Sequence, residues 1–75
     1  MVYIKIMRKE NPEIKQRVYA YIVDYIDMNG YPPSLNEIGA EMGHHYSTSR
    51  YYVQRLITEG KIKKGPGCFR NLQIV

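Results

Sequence analysis

The chain has 75 residues, 44% of them hydrophobic and 24% charged, with a formal net charge of +4. These values argue against a disordered segment and against two domains, and a chain this short buries only about 60% of the surface its unfolded form exposes, too little for an enclosed catalytic cleft. Its single cysteine, Cys68, forms no intrachain disulfide and belongs to no Cys-rich zinc pattern, in keeping with a reducing cytoplasm.

The charge is distributed unevenly. Residues 1–42 hold five bases against six acids, whereas residues 43–75 hold six bases (Arg50, Arg55, Lys61, Lys63, Lys64, Arg70) against Glu59 alone. The positive field of the second half suits either a solvated basic face or a surface that meets a polyanion.

Residues 1–9 alternate apolar and polar groups and lack the apolar core of a signal peptide. Their strand-like pattern either adds a third strand to a sheet of the same chain, which we favour, or pairs with a second copy across a two-fold axis. A helix is expected over 12–29. Asn11 offers a capping oxygen, Pro12 suits a first helical position whose N–H would go unpaired, and Asn29-Gly30 supplies the stop. At about 100° per residue, Ile14, Val18, Tyr21, Ile22 and Tyr25 share one side of it. Tyr31-Pro32-Pro33 must then be extended, because proline disfavours the helical region for its predecessor.

Ser34-Leu35-Asn36-Glu37 reads as a capping box that opens a second, short helix, with Leu35, Ile38 and Met42 facing inward. Gly39 lies on the same side and is read as a point of close approach between helices, and Gly43 ends the helix. His44-His45 has no further ligand at suitable spacing and is read as part of a turn rather than a metal site. A third helix should begin near Ser47 and stop at Glu59-Gly60. Ser49, Tyr52, Val53, Leu56 and Ile57 form its inner side. Ser47, Thr48, Tyr51, Gln54 and Arg55 form its outer side, with Arg50 on the flank. After Gly60 the pattern becomes a basic hairpin over 61–75, turning at Gly65-Pro66-Gly67. Cys68 and Phe69 fill its apolar side, and a bulge near Arg70-Asn71 accounts for the phase mismatch between Phe69 and Leu72.

Two short helices joined by a tight turn and followed by a basic hairpin describe one mainly α domain over 1–75 with a small β-sheet, a winged helix-turn-helix whose helix-turn-helix spans 34–59 and whose wing spans 61–75. Gly30-Tyr31-Pro32-Pro33-Ser34-Leu35-Asn36-Glu37-Ile38-Gly39, Met42-Gly43, Ser47-Thr48, Val53-Gln54-Arg55-Leu56 and Glu59-Gly60-Lys61-Ile62 together resemble the DNA-binding domain of the LexA-type repressors, over residues 13–75. The resemblance implies that the third helix enters the major groove of double-stranded DNA. Ser47, Thr48, Arg50 and Tyr51 would then lie near base edges or phosphates, and Gln54 and Arg55 farther along. Lys63, Lys64 and Arg70 would be wing contacts to phosphate, and the free amides near Ser34 another. Tyr46 and Tyr51 are placed to contact phosphate or to stack on a base.

The resemblance stops with the wing, so neither the family's C-terminal dimerisation domain nor its self-cleavage is expected here. The resulting expectation is a cytoplasmic, bacterial or phage transcriptional repressor that occupies an operator, with no enzymatic activity, no cofactor and no membrane partner. Useful occupancy would call for a homodimer or a protein partner. The alternative is a protein-interaction module on the same scaffold, suggested by a turn between Gly43 and Ser47 about one residue shorter than the family's and by the tyrosine-rich surface.

Overall fold

The computed structural model describes residues 10–65 and 70–75. The expectations for the 1–9 extension, the hairpin tip at Pro66 and Gly67, Cys68 and Phe69 lie outside the described residues. The elements run α1 (Pro12–Asn29), α2 (Leu35–Met42), α3 (Tyr46–Thr58), β1 (Ile62–Lys64) and β2 (Leu72–Ile74). The strands pair antiparallel, Ile62 with Ile74, Lys63 with Gln73 and Lys64 with Leu72. This is the winged helix-turn-helix arrangement, with the two-stranded wing packed beside α3. Among the described residues, no helix is long and apolar enough to cross a membrane.

Local chemistry sets the helix ends. Asn11 Oδ1 accepts from the N–H groups of Glu13 and Ile14 at 2.9 and 3.2 Å, and the Asn11 N–H donates to the Tyr52 hydroxyl at 3.1 Å, tying the start of α1 to α3. In the capping box at α2, the Glu37 N–H donates to Ser34 Oγ at 3.1 Å and the Ser34 N–H to Glu37 Oε1 at 2.9 Å. α3 begins at Tyr46, next to the expected start near Ser47, and His45 caps it: His45 Nδ1 accepts from the Ser47 N–H at 3.1 Å. An imidazole nitrogen thus does there what a Ser or Asp oxygen usually does.

The core lies where the three helices meet the base of the wing. It consists of Val18 and Ile22 of α1, Ile38 of α2, Tyr52, Val53 and Leu56 of α3, Ile62 of β1 and Leu72 of β2. Each such side chain contributes about 1.5–3 kcal/mol by leaving water, and the wing shares this core through one residue per strand. Ile14, Tyr21, Leu35, Met42 and Ile57 pack around it half-buried.

Gly39 is a true close approach. A Cβ there would sit 2.7 Å from the His44 carbonyl oxygen and 3.2 Å from Ser49 Oγ, so the missing side chain is what lets the turn and the first turn of α3 close onto α2. The Gly39 carbonyl in turn accepts from the N–H groups of Gly43 and His44 at 2.8 and 3.0 Å, which ends α2.

The wing is fastened to the helices by Arg70. Its Nη1 and Nη2 donate to Glu37 Oε1 and Oε2 at 2.8 and 2.7 Å, and Nη1 also reaches the Tyr25 hydroxyl at 3.2 Å and the Pro32 carbonyl at 3.1 Å. The irregularity expected at Arg70-Asn71 takes the form of a left-handed Arg70, φ 53°, immediately before β2. Hydrogen bonding from Arg70, followed by that of the Ser34 N–H, holds the Glu37 carboxyl down from its ordinary 4.5 to about 2.

Two outcomes are expected. Gly39→Ala should destabilise the fold by about 1–3 kcal/mol in urea denaturation, because overpacking against a backbone oxygen outweighs the gain of about 1 kcal/mol in helix propensity. A variant as stable as the parent would mean that the turn yields freely. For Glu37 the folded pKa lies below the unfolded one, so its pairing stabilises the fold above about pH 4.5 and that stabilisation is lost as the pH falls toward 2. An NMR titration should place the Glu37 midpoint near 2, and Arg70→Met should move it back toward 4.5.

Candidate nucleic-acid interface

A groove of about 410 Å³ opens between the N-terminus of α2, one side of α3 and the wing. Residues 33–36 form one wall, and Lys64, Arg70, Asn71 and Leu72 form the other. The floor is a stripe of α3, Arg50, Val53, Gln54 and Ile57, whose spacing of three and four residues marks one helical face. The stripe straddles the boundary between the buried side of α3 and its outer side. Polar ends of Arg50 and Gln54 therefore stand on an apolar base.

Of the ten residues singled out from the sequence, Ser34, Arg50, Gln54, Lys64 and Arg70 line this groove. Arg50, Gln54 and Lys64 are exposed. Lys63 is exposed as well, but strand alternation sends it to the opposite face of β1 from Lys64. Ser47 is exposed in the first turn of α3, its Oγ 2.9 Å from His45 Nδ1. Thr48 is half-buried, with its N–H given to the His45 carbonyl at 3.0 Å. Tyr51 is half-buried too, edge-on to Tyr52 with ring centroids 5.1 Å apart, so only part of it faces outward.

Three expectations change once the partners are visible. Arg70 does not stand on the wing as an open cation: its guanidinium is turned inward onto Glu37. Arg55 is held from the side, its Nε donating to Glu10 Oε1 at 2.9 Å. Ser34 is buried, and both its hydroxyl and its N–H belong to the capping box, so a phosphate at the start of α2 would meet the amides that follow it rather than Ser34 itself.

The Arg55 contact belongs to a cluster in which Lys15 Nζ bonds both Glu10 and Glu59. Lys15 is the main cause that lowers the Glu10 carboxyl below its ordinary value; burial opposes this and Arg55 adds to it. The cluster joins the approach to α1 with the C-terminal half of α3. By contrast, among the described residues Arg50, Lys63 and Lys64 make no ion pair within 4.0 Å.

Sequence reasoning missed Asn36 as a groove residue. Its signal was its place in the first turn of a capped helix, on the side away from Ile38. Asn71 also lines the groove and carried no local signal, because its position depends on the turn made at Arg70. Tyr46, read from the sequence as a stacking group, is exposed at the edge of the same groove. Guanidinium, ammonium and amide groups around an apolar stripe can meet phosphate oxygens and base edges together.

Residues 12–71 match the family model of the LexA DNA binding domain. Among curated proteins, the chain is 36% identical over 70 residues to a LexA repressor of Ruminiclostridium cellulolyticum, a match covering 92% of this chain and 33% of that protein. It is 35% identical over 68 residues to a LexA repressor of Staphylococcus aureus (89% and 33%). With a LexA repressor of a Nocardioides species it shares 39% identity over 61 residues (80% and 25%). The chain spans about a third of the length of the first two relatives and a quarter of the third.

Proposed function

The chain belongs to the LexA DNA-binding domain family, and from that premise we propose that it is a sequence-specific, double-stranded-DNA-binding transcriptional regulator that represses by occupying an operator. The observation that carries the reading is the convergence of α3's Arg50 and Gln54 with the wing's Lys64 on one groove. An α-helix fits the roughly 12 Å major groove of B-form DNA, and a long polar side chain at its rim reaches base edges there.

In this reading the first two turns of α3 enter the major groove. Ser47, Thr48, Arg50 and the exposed part of Tyr51 face bases or phosphates, and Gln54 follows one turn after Arg50. Lys63 and Lys64 neutralise phosphates from the wing, and the amides of Leu35 and Asn36 receive one more at the positive end of α2. Arg55 and Arg70 act from behind this surface by holding its parts in place. A single such unit makes few contacts, so we further propose that operator occupancy uses two copies on an inverted repeat.

Binding to a randomised double-stranded DNA pool, with the recovered sequences retested at two salt concentrations, tests the reading. One enriched motif is expected, arranged as an inverted repeat if two copies bind together. Arg50, Lys63 and Lys64, the three cations assigned here to phosphates or bases, predict a slope of log affinity against log salt of about −2.7 per chain, or about 40-fold weaker binding between 50 and 200 mM. Lys64→Ala should weaken all sequences alike and reduce the slope by about 0.9, whereas Arg50→Ala should narrow the gap between the enriched motif and random DNA. Salt-insensitive binding with no enriched motif would replace this reading with a protein-interaction module.

A further inference from the structure

We propose that Arg70 and Glu37 form a strut that sets the distance between the wing and the N-terminus of α2, and thereby the width of the groove that DNA would enter. Arg70 is a positioning residue on this view, and the inference rests on the DNA-binding reading above.

Three observations carry it. The wing is two strands of three residues each, a size that is marginal on its own. Ile62 and Leu72 bury one residue at each end of this short ladder, with Lys63 between these two pairs and Lys64 directly paired to Leu72. Arg70 stands on the far side of Leu72 and reaches back to three separate pieces of the helical body: Tyr25 of α1, Pro32 in the connection and Glu37 of α2. Its guanidinium carbon also sits 4.8 Å from the Tyr31 ring centroid.

The second observation is the bidentate geometry. Two parallel bonds of 2.8 and 2.7 Å fix the orientation of the fork as well as its distance, which a single ammonium contact does not. A left-handed backbone at Arg70 helps aim the side chain inward. The third is that Glu37 Oε1 also accepts from the Ser34 N–H. One carboxylate therefore caps α2 and receives the wing, so the two walls of the groove meet at a common atom.

The strut predicts the opposite sign from a phosphate contact. Were Arg70 a direct DNA contact, Glu37→Gln would release it and remove an anion beside the groove, and binding would strengthen. Under the strut, Glu37→Gln and Arg70→Lys each weaken binding to the enriched DNA sequence by about tenfold, and the double variant is no weaker than either alone. In a Lys63→Ala/Lys64→Ala background the same substitutions should cost less than about twofold, because the groups they position are gone. A loss of equal size in both backgrounds would indicate general destabilisation and overturn the proposal, as would stronger binding by Glu37→Gln.

Amide hydrogen exchange on the free chain gives a readout independent of DNA. In Arg70→Lys the amides of Lys63, Gly65 and Gln73, which face the partner strand in the hydrogen-bonded pairs of the ladder, should exchange at least about fivefold faster, while those of Val18 and Ile22 in α1 keep their rates. Unchanged wing amides overturn the strut whatever the DNA result. Faster wing amides in a chain whose parent enriches no DNA motif would uphold the strut as a device of the fold and overturn the DNA-binding reading instead.

Discussion

How α3 is presented depends on the contact at Gly39. With the His44 carbonyl and Ser49 Oγ both inside the space a Cβ would need, the turn lies flat on α2 and α3 starts at once, capped by His45. The same closeness places Ser49 in the interior and turns the stripe of Arg50, Val53, Gln54 and Ile57 toward the wing. A wider turn would rotate that stripe, and the groove between α2, α3 and the wing would have no common floor. Core packing and the candidate DNA surface are therefore two sides of one helix whose orientation is set by a backbone contact.

Charge is then sorted by distance. Eleven bases against seven acids describe the chain as basic, yet among the described residues six of the cations fall into two kinds. Lys15, Arg55 and Arg70 are tied to Glu10, Glu59 and Glu37 and hold elements together. Arg50, Lys63 and Lys64 face outward around the groove or the wing. Exposed ion pairs contribute little to stability, commonly less than about 1 kcal/mol. Their larger effect here is geometric, because a bidentate or clustered pair orients what it joins.

The helix boundaries were legible because their causes are local. Asn11-Pro12 and Ser34-x-x-Glu37 satisfy backbone donors within three residues, so the pattern names the structure. The cap of α3 is less legible: Ser47 is the commoner capping type, yet His45, two residues earlier, takes the role because of where the turn meets Gly39. The inner face of α3 followed from helical periodicity, and Tyr52, Val53 and Leu56 are buried as that periodicity requires.

The candidate site was legible in its residue types and only partly in its assignments. By itself the sequence determined a winged helix-turn-helix with a basic second half, because capping, periodicity and turn residues act over a few positions and reinforce one another. Which cations remain outward was decided only by the tertiary structure. Arg70 and Glu37 are 33 residues apart, and Arg55 and Glu10 are 45 apart. Pairs at that separation leave no periodic or local trace, since whether two charges meet depends on the packing of every element between them.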